Sequence, residues 1–449
     1  MQLSIPLAFL GLIETALLLA AWLAAAHLVA GEDPWSRAVY FTAVMLLSLF
    51  ALGMFIARQR ARFGGILVRI VTAVGLGTFA VAGLFWLMPH QELDFMELAA
   101  AALFAFAGLG ISRTVYRRVA ESALFKRRVL VYGAGIMAES LSHLRRRTDR
   151  AGFEIVGFVR PEDQLCVVDN SRIIAPHARL AQTCRQLKID EIVIAMDDRR
   201  RAFPLDEMLE CRLDGREVTE LVTFLERETG RVRVDVLNPS WMIFANGFRR
   251  NRFRLAVTRL FDICASLVIL VCALPVMLLT AIAIKLEDGP RAPVFYLSTR
   301  VGKRGKPFKL IKFRSMRVDA CEERRPRWAQ PGDPRITRVG ALIRKLRIDE
   351  LPQVVNVLRG QMSCVGPRPE QPEFVVSLEE SIPYYAQRHC VKPGITGWAQ
   401  ICYGYGATDE DAQEKLQYDL YYIKNNSFMF DVSILLQTVE VVLFGKGAR

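Results

Sequence analysis

The chain has 449 residues, 52% of them hydrophobic, with a mean hydropathy of +0.22 and a formal charge of +13. That apolarity excludes an ordinary soluble domain, and nine scattered cysteines with no CxxC pair exclude a disulfide scaffold or a cysteine-built zinc module. Five histidines do not suit a histidine-based metal site, and the basic residues must lie outside any bilayer, facing anionic lipid, nucleic acid or phosphorylated substrates.

Residues 5–30 are apolar apart from Glu14 and His27 and are long enough to span about 30 Å of hydrocarbon. No A-x-A cleavage pattern follows a short apolar core, so a signal peptide is not indicated. Three more spans are predicted near 38–57, 65–88 and 95–112. Arg58, Arg60 and Arg62 lie between the second and third spans, and Arg113, Arg117, Arg118, Lys126, Arg127 and Arg128 follow the fourth. The loops at 31–34 and 89–92 are acidic or neutral. The positive-inside rule then places the N-terminus in the cytoplasm and returns the chain there after four passes, a membrane domain over 1–115.

Residues 127–136 read as a strand ending in the turn Gly133-Ala134-Gly135, with Ala138 where a third small residue falls. Apolar runs at Phe153–Val159 and Glu191–Ala195 alternate with helical pieces at 177–187 and 204–211, which predicts a Rossmann-like parallel α/β domain over 120–245. The dinucleotide fingerprint is weak. Arg160 stands where an acidic ribose ligand belongs, so Gly133 and Gly135 read as turn and packing residues in a degenerate or regulatory nucleotide site.

A linker at 238–254 ends in Arg249, Arg250, Arg252 and Arg254, and a single apolar run, Ile263 to Ile284, follows, interrupted by Pro275. Both flanks are basic, which the positive-inside rule keeps on one side of the membrane. A proline inside a helix removes a hydrogen bond and kinks it, at about 3 kcal/mol. A re-entrant helix over about 255–286, broken at Pro275, is expected rather than a fifth straight span.

Residues 250–449 form the last predicted domain, mainly α. Within it Leu351, Val354, Val355 and Leu358 fall at helical spacing, Pro352 suits a first turn, and Gly360 suits a stop. Asp349 and Glu350 therefore sit at or just before a helix start, and many cations surround them, including Arg300, Lys312, Arg314, Arg344 and Arg368. The plain reading is a helix cap. The chemical reading is work on a phosphate ester, with cations on the oxygens, a divalent metal offsetting charge and one carboxylate attacking. Residues 411–424 predict an amphipathic helix, and 428–444 are nearly all apolar; each suits either an interfacial surface or a buried core.

From Arg259 to the C-terminus, about 190 residues, the chain resembles the bacterial sugar transferases, the monotopic polyprenyl-phosphate hexose-1-phosphate (phosphoglycosyl) transferases. The resemblance rests on Arg259-Leu260-Phe261-Asp262, Arg300-Val301-Gly302, Lys312-Phe313-Arg314-Ser315-Met316 and Asp349-Glu350-Leu351-Pro352-Gln353. It extends through Asn356-Val357-Leu358-Arg359-Gly360, Gly366-Pro367-Arg368-Pro369 and Lys392-Pro393-Gly394-Ile395-Thr396-Gly397-Trp398-Ala399-Gln400. Four spans and a Rossmann-like middle look like the long members that initiate exopolysaccharide synthesis. Arg347-Ile348-Asp349-Glu350 and the ending 444–449 resemble the exosortase-associated branch.

The resemblance implies that Asp349 attacks the β-phosphate of a UDP-sugar, releases UMP and holds a phosphosugar, which undecaprenyl phosphate then takes. It implies Mg²⁺ at Asp349 and Glu350, and phosphate or substrate contacts from Lys312, Arg314, Arg344, Pro367, Arg368 and Arg300. It also implies a multi-pass protein of the bacterial inner membrane with its active site facing the cytoplasm, and downstream glycosyltransferases as partners. A homo-oligomer through the middle domain fits this pattern. Three places depart from it: Thr258, the triplet Leu297-Ser298-Thr299, and Ile401-Cys402-Tyr403-Gly404-Tyr405-Gly406, which lacks a basic residue. The sugar stays open, with glucose or galactose 1-phosphate favoured by the branch resemblance alone.

Three rivals are weaker. A nucleotide-sugar oxidoreductase needs an acidic ribose ligand and a Tyr-x-x-x-Lys base, and the middle domain has only Tyr132. A membrane-anchored nucleotide sensor or scaffold with an inactive transferase domain conflicts with intact Asp349, Glu350 and Lys312. Nucleic-acid binding by 300–350 lacks interleaved aromatics and a reading motif.

Overall fold

The computed structural model describes residues 5–29, 35–52, 54–55, 63–87, 94–120, 126–142, 144, 152–161, 166–175, 179–198, 203–237, 242, 252–317, 335–404, 406 and 408–443. Arg58, Arg60, Arg62, Arg249, Arg250, the loops at 31–34 and 89–92, Tyr405 and the ending 444–449 lie outside these residues. The chain divides into two compact units, residues 2–236 and 237–449.

In the first unit four apolar stretches form α1 (Ile5–Val29), α2 (Trp35–Ala51), α3 (Phe63–Trp86) and α4 (Phe95–Ala120). Three of them are long and apolar enough to cross a membrane, and α2 is a shorter apolar helix of 17 residues, about 26 Å. Trp22 fills the bundle interior against Phe41 and Phe85, with ring centroids 5.0 and 6.2 Å away. Glu14 is fully buried and accepts a 2.7 Å hydrogen bond from Arg113 Nη2, while Arg113 Nη1 donates to the Met54 carbonyl at 2.5 Å. A buried carboxylate in an apolar helix needs such a partner. Helix α4 runs on past the predicted end at 112, so Arg113, Arg117 and Arg118 belong to the helix and Arg113 is spent inside the bundle.

The α/β part carries β1 (Arg127–Tyr132), α5 (Ile136–Ser142), β2 (Phe153–Val159), α6 (Leu180–Gln186), β3 (Glu191–Ile194), α7 (Leu205–Leu213), β4 (Glu217–Glu220) and α8 (Leu221–Thr229). All pairings are parallel and the order is β2-β1-β3-β4, with β1 and β3 leaving at the switch point of a doubly wound sheet. Strand β3 is buried at every residue, as a parallel strand covered on both faces must be. Arg127 is the first residue of β1. It bonds Glu191 at 2.8 Å and Glu228 at 2.5 Å, tying β1 to β3 and α8.

The second unit opens on α9 (Arg252–Asp288), one unbroken helix of 37 residues, about 55 Å, and the fourth described helix apolar enough to cross a membrane. Pro275 lies inside it without ending it, so the expected break into two helices is not seen in the secondary structure. Next come the antiparallel hairpin β5 (Phe295–Val301) and β6 (Pro307–Phe313), then α10 (Arg338–Lys345), α11 (Gln353–Leu358) and β7 (Ser363–Val365). Helix α12 (Pro372–Ser381), β8 (Gly394–Thr396), α13 (Trp398–Cys402), α14 (Asp409–Asn425) and α15 (Phe428–Leu443) complete it, with β7 and β8 paired in parallel. Tyr422, Ile423, Phe430 and Ile434 of α14 and α15 join one core with Val357, Met362 and Val391, so each of these helices buries one face, while Phe428 and Met429 stay exposed.

Candidate active site

The acidic pair is placed by the residues on either side of it. Helix α10 ends at Lys345, and Arg347 adopts the left-handed region at φ +58°. A non-glycine residue there is strained by about 1 kcal/mol or more. That reversal drops Ile348–Glu350 into a 3-10 turn, so the carboxylates stand just before α11, as expected, and Pro352 is its cap. Asp349 and Glu350 are both buried, at 9% and 8% exposure.

Asn356 brings β6 to this turn. Its side chain accepts from Ile311 N–H at 3.0 Å and donates to the Lys309 carbonyl at 2.8 Å, which fixes the strand against α11. Lys312, next in β6, then reaches Glu350 Oε1 at 3.0 Å, and Arg368 Nη2 donates to the same oxygen at 2.8 Å. Pro367 sets Arg368 by its carbonyl, which accepts from Gly394 N–H at 3.0 Å where β7 and β8 meet. A Cβ on Gly366 would come within 2.5 Å of the Lys392 carbonyl, so only glycine allows that approach.

These contacts separate the two carboxylates. Burial pushes Glu350 up, yet Arg368 and Lys312 together hold it well below the usual carboxylate range. Asp349 is pushed up by burial, only partly offset by Lys312, with the Glu350 charge adding to the rise and Arg368 and Arg344 opposing it. Burial likewise lowers Lys312, while Glu350 opposes the shift. Among the described residues the Asp349 carboxylate accepts no hydrogen bond. One acid is thus locked in an ion cluster and its neighbour is left available, an arrangement suited to a nucleophile beside a charge-holding partner.

A sequence model of the bacterial sugar transferases matches residues 253–445. A UDP-glucose:undecaprenyl-phosphate glucose-1-phosphate transferase of Klebsiella pneumoniae is 32% identical over 394 residues, 85% of this chain and 83% of that one. The chain belongs to the bacterial sugar transferase family. A protein of the same description from Xanthomonas campestris is 29% identical over 98% of this chain and 91% of its own length. The UDP-N-acetylgalactosamine-undecaprenyl-phosphate N-acetylgalactosaminephosphotransferase of Aeromonas hydrophila is 42% identical over 264 residues, 59% of this chain. The chain spans 61% of that relative's length.

Two other sugar transferase motif residues, Arg259 and Asp262, brace the elements around the site. Arg259 on α9 donates to the carbonyls of Val357 and Leu358 at 2.6 and 2.7 Å, meeting the unpaired end of α11. Asp262 accepts from Ser363 Oγ at 2.9 Å and Cys364 N–H at 2.8 Å, pinning β7. Arg300 bonds Ser298, the Pro369 carbonyl at 3.4 Å and Glu370 at 3.8 Å, so it reaches the pair through the Arg368 segment. Arg344, in the last turn of α10, acts on Asp349 through charge. Arg314 follows β6 and is buried.

Sequence reasoning missed Arg388 and Asp419. Arg388 donates to the Arg368 carbonyl at 3.0 Å and to Asp419 at 2.9 Å, and it also bonds the Tyr385 hydroxyl. Burial raises Asp419 to about 6, with Arg388 opposing the shift. Asp419 lies between Leu416 and Ile423 on the buried stripe of α14, and an acid on such a stripe announces a buried partner.

Among the described residues no group of three or more His, Cys, Asp or Glu side chains forms a metal cage. The donors fit Mg²⁺, which binds through one or two carboxylates and completes its shell with phosphate and water. Asp349 has no hydrogen bond to give up, whereas Glu350 Oε1 already meets two cations.

Proposed function

We propose that this sugar transferase moves a hexose 1-phosphate from a UDP-sugar to undecaprenyl phosphate and so initiates exopolysaccharide synthesis. The observation that carries it is the buried Asp349 carboxylate, free of hydrogen bonds among the described residues, beside a Glu350 neutralised by Lys312 and Arg368. Relatives with undecaprenyl-phosphate sugar phosphotransferase names support the substrate class.

In the first step an Asp349 oxygen bonds to the β-phosphorus of the donor as the bond to the α,β-bridging oxygen breaks, and UMP leaves. In the second, an oxygen of undecaprenyl phosphate bonds to the same phosphorus and the Asp349 carboxylate is released. Lys312, Arg368 and Arg344 would hold charge on the phosphate oxygens. Mg²⁺ held by Asp349, with Glu350 beside it, would supply further neutralisation of the diphosphate.

The reading includes a re-entrant α9. Arg259 near its start and Glu287 near its end both bind the second unit, Glu287 accepting from the Arg338 and Val339 N–H groups at 2.8 and 2.9 Å. Between them Leu267, Val268, Val271, Leu274, Leu279 and Ile282 are exposed and apolar. Two ends gripped by one globular unit favour a helix that enters and leaves by the same face, with Pro275 as its bend. That face is the cytoplasmic side of the inner membrane, where UDP-sugars are found, with α1–α4 and the Rossmann-like part as accessory domains.

The test is UMP release by the purified protein with Mg²⁺, undecaprenyl phosphate and UDP-glucose, UDP-galactose or UDP-N-acetylgalactosamine, alongside Asp349→Asn. Release from one donor that the variant fails to give is the expected result. A folded protein inactive with every donor would favour the scaffold reading.

A further inference from the structure

Around the acidic pair Lys312 and Arg368 share Glu350, Arg388 holds Asp419, Arg300 holds the Pro369 carbonyl, and the half-buried Arg344 acts on Asp349 through charge. Arg314 differs. It is 9% exposed, and its Nε and Nη1 are buried without a hydrogen-bond partner among the described residues. A buried guanidinium left without an acceptor is costly, and such a group persists where a ligand completes it. It directly follows Phe313, the last residue of β6, two residues beyond Lys312.

The surroundings indicate which ligand. Arg314 N–H donates to the Val294 carbonyl at 2.9 Å, where the chain leaves α9 for the β5–β6 hairpin. Val294 and Phe313 pack with Ile284 of α9, Ile343 of α10 and Ile348, the neighbour of Asp349. Phe295, half exposed, stacks on Phe313 at 5.3 Å, and Leu286 is 81% exposed at the end of α9. Exposed apolar side chains at Leu286, near the end of α9, and at Phe295, paired with Phe313, suit a phosphate carried on a hydrocarbon chain.

We infer that Arg314 is the binding residue for the phosphate monoester of the lipid acceptor, distinct from the Lys312 and Arg368 cluster on the donor side. The inference rests on the transfer reading above. In the second step Arg314 holds a non-attacking oxygen of that phosphate while another oxygen forms the new bond to phosphorus.

The experiment uses the full chain in nanodiscs, with Arg314→Gln and Arg314→Lys beside wild type and folding checked by thermal unfolding. Arg314→Gln is expected to raise the KM for undecaprenyl phosphate about tenfold or more, as loss of a charged hydrogen bond does, and the donor KM less than about threefold. Arg314→Lys is expected to recover part of the loss, and it carries the test if the Gln variant does not fold. A rise in donor KM with acceptor KM unmoved would assign Arg314 to the nucleotide diphosphate and overturn the inference, as would no change in either. A second measurement needs no turnover: undecaprenyl phosphate should raise the thermal midpoint of wild type more than that of the variants, while UDP-glucose and inorganic phosphate should not discriminate. If wild type releases no UMP from any donor, the transfer reading fails, and this midpoint difference still decides the lipid-phosphate site.

Discussion

Two turns in this molecule could each receive an anion, and their donors have opposite fates. In the α/β sheet the chain leaves β1 through Gly133 at φ +134°, where a Cβ would run into the Ala195 carbonyl, and enters α5. There the N–H groups of Ile136 and Met137 already donate to the Asp197 carboxylate at 3.0 and 2.8 Å. Asp197 occupies the place a pyrophosphate would take. Around Asp349 the balance is reversed: two cations converge on one oxygen of Glu350, and Arg314 Nε and Nη1 find no acceptor among the described residues. The glycine turn has the spelling of a phosphate site but has met its own needs. The acidic turn keeps unmet charge, and unmet charge is what draws a phosphorylated substrate.

The sharpest break of this contrast is Asp349→Asn, which should lower UMP release by roughly a thousandfold or more, as loss of a covalent nucleophile does. The same variant should be more stable at pH 7. A carboxyl raised by burial costs stability in its ionised form, and that cost fades as pH falls toward the ordinary carboxylate range. A rise of about 2 °C in thermal midpoint is expected at pH 7, shrinking on acidification.

Glu350→Gln should act oppositely. Glu350 is held low, so its contribution is present above its unfolded value of 4.5 and is lost as pH falls through the folded one. Removing it strands Lys312 and Arg368, at about 3 kcal/mol, or about 6 °C or more at neutral pH, readable by differential scanning fluorimetry.

Lys312→Met should move the rising limb of the UMP burst to higher pH, because Lys312 is the strongest charge favouring ionised Asp349. Burst amplitude across a pH series reads this directly. Asp419→Asn should lower kcat/KM about tenfold by loosening Arg388 and, through it, the Arg368 carbonyl. Since Asp419 titrates near about 6, its pair with Arg388 forms above that value and fails below it. The wild-type acid limb should therefore flatten near pH 6 in this variant, and what remains belongs to Asp349.

How much of this could be read from the sequence follows the same logic. Hydrophobic periodicity fixes the four helices of the first unit and the parallel strands, because burial of one face acts on every residue of an element. Asp349 and Glu350 are legible because two acids stand among many cations over a short stretch. Their different roles are not, since these depend on Lys312 and Arg368 arriving from β6 and the end of β7. Arg113 reads as a flanking charge until Glu14, 99 residues earlier, is seen against it. The β5–β6 hairpin escapes notice because Leu297-Ser298-Thr299 and the lysines of 303–312 hide its alternation.

The smallest expected effect tests the other half of the contrast. Asp197→Ala would leave the Ile136 and Met137 N–H groups to water, costing about 1 kcal/mol as loss of a helix cap does. UMP release should not change, because Asp197 belongs to the α/β sheet of residues 2–236, where it accepts from Ile136 and Met137 N–H, and the transfer chemistry is assigned to Asp349 of the other unit. Opening the turn should not create affinity for NAD either, since Arg160 follows β2 where a ribose would need an acid. Calorimetric titration of the variant with NAD and with UMP reads this. Binding of either would mean that a single carboxylate keeps a working nucleotide site closed, and the turn after β1 would then be a gated site rather than a satisfied one.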